Sequence, residues 1–221
     1  MRILVVAAHP DDEILGLGGT LARRAAEGDE VTIFILADRG SARYDESRIR
    51  EVQRASRAAA AKLGVGDVRF GGLEDQVLDG RPVLEVTQRV EALLQEVRPE
   101  VVFTHHRGDI NRDHAVVHEA TLTAARPYAT PFVRRILTYE TPSATEWAGP
   151  YPEAAFVPNV FVDISEHLEA KLAAMSEYAT ELRDPPHPRS LAALGYRAAH
   201  WGSVVGVPAA EPFQLVREIL L

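Results

Sequence analysis

Two short stretches of this sequence gather side chains that can bind a metal ion and move protons. One is HPDDE (9–13) and the other is HHRGDINRDH (105–114). Each follows an apolar run, ILVVAA (3–8) and VVFT (101–104). The chain has no cysteine, so a metal site must draw on His, Asp and Glu. Imidazole with carboxylate suits zinc, and a catalytic zinc keeps three protein ligands and one position for water. Asp12 follows His9 by three positions, so a tight turn can bring these side chains together. Asp11, between them, would sit beside the metal, where a carboxylate can take a proton from water. His114 offers a third ligand, and Asp113 a partner that orients an imidazole or the substrate. A plainer reading competes. A polar residue and acids at a strand-to-helix junction also serve as an N-cap and a complement to the helix dipole. Capping accounts for one such acid, but less readily for three acids after a histidine with a matching segment elsewhere. On residue types alone, both readings stand.

These segments need elements to hold them. The run 3–9 has the continuous apolar character of a strand buried on both faces of a parallel sheet. A helix is expected over 13–27, closed by Gly28, and then a strand over 31–38. An Arg- and Ala-rich helix over 45–63 leads to a strand at 68–72. Next come a helix at 83–97, a strand at 101–106, a helix at 114–125, and strands at 133–141 and 160–164. Helices over 166–182 and 189–201 follow, and AEPFQLVREIL ends the pattern. Strands alternating with helices specify a doubly wound α/β sheet, mostly parallel, with helices on both faces and room for an antiparallel edge. No repeat, low-complexity tract or linker divides the chain, so residues 1–221 are read as a single domain. In such sheets ligands bind beyond the carboxyl ends of the strands, where strand order reverses. If the first and fourth strands are central, HPDDE and RGDINRDH face one crevice. The glycines of LGLGGT (15–20) do not form G-x-G-x-x-G and follow acids that would repel a pyrophosphate, so close helix–sheet packing is their expected role.

Composition narrows the function. The 221 residues are 46% hydrophobic with a formal net charge of −8, which speaks against a general nucleic-acid binder. No apolar stretch approaches the roughly 20 residues of a membrane span. The opening MRILVV lacks the regions of a secretory signal, so a cytoplasmic location is expected.

AHPDDE (8–13) followed by LGLGGT resembles the signature of the LmbE-like, or PIG-L, family of zinc-dependent de-N-acetylases. That family includes N-acetylglucosaminyl-phosphatidylinositol and chitooligosaccharide-type deacetylases and enzymes of mycothiol and bacillithiol biosynthesis. VVFTHHRGDINRDHAVVHEA (101–120) resembles its second metal-binding segment. PSATEW (142–147), NVFVDIS (159–165), PHPRS (186–190) and 202–217 resemble a bacterial branch. The resemblance implies a Rossmann-like fold, zinc (or another divalent ion) on His9, Asp12 and His114, and Asp11 as the general base. It implies an N-acetylated amino sugar, or its conjugate, as substrate. Many members carry H-P-D-H in the second segment, where this chain has Asn111, Arg112, Asp113 and His114. Asn111 can donate a hydrogen bond but cannot deliver a proton near neutral pH. Protonating the leaving amine then falls to Asp11 in a double role, with His105, His106 or His187 as alternatives.

Further polar residues have two readings each. Asp109 holds an imidazole or a sugar hydroxyl, or else shapes a turn after Gly108. His187 and Arg189 sit on a loop of the kind that supplies binding groups. Arg48, Arg50 and Arg54 form a solvated helix face or reach a substrate phosphate. Trp147 stacks on a sugar ring or packs under its loop. His118 is read as a helix-face residue rather than a ligand. A homo-oligomer is expected from the resemblance and the Ala-rich helix. Two rival functions remain: an amidase for a different amide conjugate, and a metal- or sugar-binding protein with weak catalysis.

Overall fold

The computed structural model describes residues 1–40 and 46–220. Seven strands build one sheet in the order β3-β2-β1-β4-β5-β7-β6. They are β1 (Arg2–Ala7), β2 (Glu30–Arg39), β3 (Asp67–Glu74), β4 (Val101–His105), β5 (Arg135–Tyr139), β6 (Val160–Asp163) and β7 (Ala210–Glu218). The first five run parallel. The segment at the end of the chain returns as β7, antiparallel to β5, and β6 closes the edge antiparallel to β7. The expected α/β fold is the observed one.

Alternation along β1 sends side chains to opposite faces, and two apolar layers result. Ile3, Val5 and Ala7 pack with α1 (Asp12–Ala26) and α2 (Glu46–Lys62). Leu4, Val6 and Ala8 pack with α3 (Val83–Val97) and α4 (Arg112–Ala124). Burial on both faces explains why β1 reads as an unbroken apolar run. The expected start of α2 at Asp45 lies outside the described residues.

Two helices differ from expectation. The segment 166–182 is helical only over α5 (Leu168–Met175). Beyond it the chain turns inward so that Tyr178 is fully buried and donates its hydroxyl to Glu13. A tertiary hydrogen bond here overrides local helical character. The last helix, α6 (Leu191–Val205), is longer than expected and is capped by the Ser190 hydroxyl on Ala193 N at 3.2 Å.

The glycines after HPDDE pack closely against the sheet, as the sequence implied. A Cβ on Gly16 would collide with the Tyr139 ring, and one on Gly19 would lie 2.7 Å from Ile164 Cδ1. Helix α1 is broken at Leu17 (φ −145°, ψ 23°), and the freed backbone groups are recaptured by a buried ion pair. Glu211 accepts from Gly19 N at 3.0 Å and Thr20 N at 2.6 Å. Lys171 Nζ donates to Leu15 O at 2.9 Å and to Glu211 at 2.6 Å.

Candidate active site

Strands β1 and β4 are neighbours, yet β1 continues to β2 on one side and β4 to β5 on the other. This is the reversal point at which open α/β sheets bind ligands. A cavity of about 520 Å³ opens there, with His9, Asp11, Asp12, Asn111 and His114 among its lining residues.

His9, Asp12 and His114 are all buried, each offering a ligand atom within 4.8 Å of the others. His9 Nδ1 lies 3.4 Å and His114 Nε2 3.5 Å from Asp12 Oδ2. Carboxylates hold the far sides of both rings. His9 Nε2 is 3.1 Å from Asp113 Oδ2 and 3.2 Å from Asp75 Oδ1. His114 Nδ1 is 2.8 Å from Asp109 Oδ2, while among the described residues its buried Nε2 has no hydrogen-bond partner. A histidine held by a carboxylate at one nitrogen and unpartnered at the other has the arrangement of a metal ligand. The donor set of two imidazoles and one carboxylate fits a divalent ion such as zinc.

The charges of this wall are interdependent. Burial would raise Asp12, but the imidazoles of His114, His105 and His9 outweigh it and hold the carboxyl well below the usual range. Burial would lower His9, yet Asp113, Asp12 and Asp75 hold it well above its ordinary value. His114 is pushed down to about 4 by burial, leaving its ring neutral and able to ligate at neutral pH. Burial and the adjacent Asp12 push Asp11 well up, against the pull of Arg189.

Backbone geometry sets Asp11 apart from Asp12. Asp11 has φ 107°, a left-handed conformation unusual for a residue with a side chain. Its N–H donates to Glu13 Oε2 at 3.1 Å, and its carbonyl accepts from Ile14 and Leu15 as α1 begins. Asp12 instead accepts His9 N at 2.8 Å, closing the turn that brings His9 and Asp12 together. The Asp11 backbone thus starts the helix, without a capping bond from its side chain, while the Asp12 carboxylate closes the turn. Asn111 caps α4, its Oδ1 accepting Asp113 N at 3.0 Å. That bond orients the amide beside the cavity, and among the described residues Nδ2 has no hydrogen-bond partner.

The model of the family described as PIG-L, GlcNAc-PI de-N-acetylase, matches residues 4–125. The chain belongs to this family. It is 30% identical to a 1D-myo-inositol 2-acetamido-2-deoxy-alpha-D-glucopyranoside deacetylase from Nocardioides sp., over 82% of this chain and 83% of the relative. N,N'-diacetylchitobiose deacetylase from Pyrococcus horikoshii superposes with a TM-score of 0.78 at 21% identity, covering 98% of this chain and 84% of that one. GalB, the 4-carboxy-2-hydroxymuconate hydratase from Pseudomonas putida, superposes equally well: TM-score 0.77 at 22% identity, covering 100% and 98%. At these identities the two structures speak for the fold alone.

Not every polar residue singled out in this PIG-L sequence reaches the cavity. His106 turns away from it: its Nε2 pairs with Ala154 O at 3.0 Å, and its ring meets Phe156 edge-on. Next to His105 at a strand end, it faces the opposite side of the sheet. His187 supports the rim. Its Nδ1 accepts Arg189 N at 3.1 Å, and its ring meets Trp147 edge-on at 5.6 Å. Trp147 is half exposed and lines the cavity. Asp109 also accepts the Thr145 hydroxyl at 2.6 Å, and burial pushes it up to about 7. Arg48 lines the cavity while bound to Glu181 at 2.6 Å. Arg50 and Arg54 are exposed. His118 is buried, donating through Nδ1 to His105 O at 2.9 Å.

Two residues beside the site have a place that sequence did not give them: it offers His105 only as an alternative proton donor and does not single out Asp75. His105 is fully buried and stacks on His114 with ring centroids 3.9 Å apart. Its Nε2 accepts Ala8 N at 2.8 Å, so the ring braces His114 rather than offering that lone pair. Burial and His114 push it down to about 4. Asp75 sits just beyond β3, and the same strand-end rule that drew attention to His9 applies to it.

Proposed function

We propose that this chain hydrolyses the acetamide of an N-acetylated amino sugar or its conjugate, releasing acetate and the free amine. Family membership and the names of its relatives support the acyl class. The observation that carries the reading is the pairing of Asp11 with the three-donor group of His9, Asp12 and His114, in which, among the described residues, the buried His114 Nε2 has no hydrogen-bond partner. These three residues would hold the cation, which we infer to be zinc. Bound there, zinc would supply Lewis acidity to water and to the acetyl carbonyl.

The protein side of the reaction uses four groups. Asp11 accepts a proton from the attacking water as the oxygen bonds to the acetyl carbon. Asn111 donates through Nδ2 to the carbonyl oxygen as negative charge grows on it, a role a neutral amide can fill without a proton of its own. Asp11 then passes its proton to the sugar nitrogen as the C–N bond breaks. Asp113 and Asp109 keep the rings of His9 and His114 in place throughout. The reading includes a cytoplasmic enzyme, consistent with its lack of cysteine. Among the described residues, no helix is long and apolar enough to cross a membrane. It also includes a homo-oligomer, checked by light scattering.

The test is acetate release from a panel of N-acetylglucosaminides by zinc-reconstituted protein, with Asp11→Asn alongside. We expect Asp11→Asn to retain zinc and to lose about 10²- to 10⁴-fold in kcat. A variant with full turnover would remove Asp11 from the mechanism. Zinc bound with no acetate from any substrate would favour a binding protein.

A further inference from the structure

A carboxylate next to a divalent site is drawn to the cation and becomes a ligand unless something holds it back. Asp11 is in this position, immediately before Asp12. In this structure a second positive group faces it. Arg189 Nη1 lies 3.2 Å from Asp11 Oδ2, across a sequence separation of 178 residues. The same Nη1 is 3.3 Å from Glu181 Oε2, and the other Glu181 oxygen is held by Arg48 at 2.6 Å. Arg189 N donates to His187 Nδ1, and the next residue, Ser190, caps α6. The guanidinium is therefore mounted on the start of a helix and steadied by an acid of its own. Among the described residues, no hydrogen bond reaches Asp11 Oδ1. The bound and unbound oxygens of Asp11 are thus different.

We infer that Arg189 is a positioning residue for Asp11: it holds Oδ2 away from the cation site and leaves Oδ1 to work on water. This rests on Asp11 being the base. Backbone and side chain act together here. The left-handed turn, tied to Glu13, sets where the Asp11 side chain leaves the main chain. Arg189 then fixes which way its carboxylate turns. One guanidinium nitrogen, Nη1, serves Asp11 and Glu181 together, so Glu181 fixes the point from which the charge reaches Asp11 Oδ2. Without Arg189, Asp11 would swing toward the cation and act as a fourth protein ligand, occupying the position that water needs.

The experiment uses the full chain carrying Arg189→Met, loaded with zinc for kinetics and with cobalt(II) for spectroscopy. We expect kcat to fall about tenfold or more, with KM within about twofold and metal stoichiometry unchanged. The cobalt protein should lose visible absorption intensity as its site gains a ligand, and the double variant Arg189→Met/Asp11→Asn should regain it. Guanidinium ion at non-denaturing concentration should restore part of the lost turnover to Arg189→Ala. An unaltered cobalt spectrum would overturn the inference, as would a raised KM with kcat intact, which would make Arg189 a substrate-binding group. If Arg189→Met does not fold, Glu181→Gln removes the second anchor instead, and an unchanged kcat there is equally adverse. Failure of the underlying reading looks different: Asp11→Asn alone would then keep its activity.

Discussion

His114 has two ring nitrogens, and among the described residues only one of them has a hydrogen-bond partner. Asp109 occupies Nδ1 and leaves Nε2 toward the position proposed for the cation. Asp109→Asn keeps the shape but weakens the acceptor that orients the imidazole and makes it a better donor. Zinc affinity should fall about 10- to 100-fold, with kcat at saturating zinc far less affected. Competition with a chromophoric chelator measures this, and equal affinities for variant and parent would rule the role out. Trp147 is a separate case at the cavity rim. Its ring is half exposed and braced edge-on by His187, which suits stacking on a pyranose. Trp147→Ala should raise KM by the equivalent of about 0.5–1.5 kcal/mol and leave kcat in place. A change confined to kcat would argue against a binding platform. At this scale the sequence was readable wherever chemistry clustered near a strand end, as in HPDDE and INRDH. His106 and His105 mark the limit: adjacent in sequence, they face different surroundings, and only the sheet's geometry separates them.

Helix α1 carries Asp12 in its first turn and breaks at Leu17 one turn later. The break lets Gly16 and Gly19 approach Tyr139 and Ile164, and it exposes backbone groups inside the protein. Glu211 from β7 and Lys171 from α5 satisfy them with side chains that are almost wholly buried. Removing one member of such a pair strands the other's charge. Glu211→Ala should therefore cost about 3–5 kcal/mol, whereas the double change Lys171→Met/Glu211→Leu should recover part of that. Denaturant unfolding gives both values, and a loss under about 1 kcal/mol for Glu211→Ala would show the pair to be dispensable. The close packing of the glycines was legible from LGLGGT. The kink and its repair were not, because the partners lie more than 150 residues away and nothing local marks Lys171 or Glu211 as buried. The inward turn at Tyr178 escaped for the same reason, since its cause is Glu13 on another helix.

Over the whole molecule, alternation of strands and helices carried enough information for the sheet, its two covered faces and the crevice between β1 and β4. Fold alone does not choose the reaction, since a deacetylase and a hydratase superpose on this chain almost equally well. This chain encloses a population of ionisable groups behind the crevice, and those groups tie stability to pH. His118 illustrates the sign. Burial lowers its proton affinity below the ordinary value of 6.5, with His106, Arg107 and His105 adding to the effect. Below pH 6.5 the unfolded chain takes up a proton that the folded chain resists, so stability attributable to His118 is complete above 6.5 and is lost as pH falls. His118→Asn keeps a donor for His105 O and removes the titration. Measured on chelator-treated protein, so that metal release does not intrude, parent and variant should run in parallel above pH 6.5. Below it the parent should lose stability faster, by at most about 1.4 kcal/mol per pH unit. His105 and His114 have the same sign in both proteins, so they drop out of the difference. Melting temperatures that stay parallel down to pH 4.5 would mean that His118 accepts its proton as readily folded as unfolded, and that its burial carries no electrostatic cost.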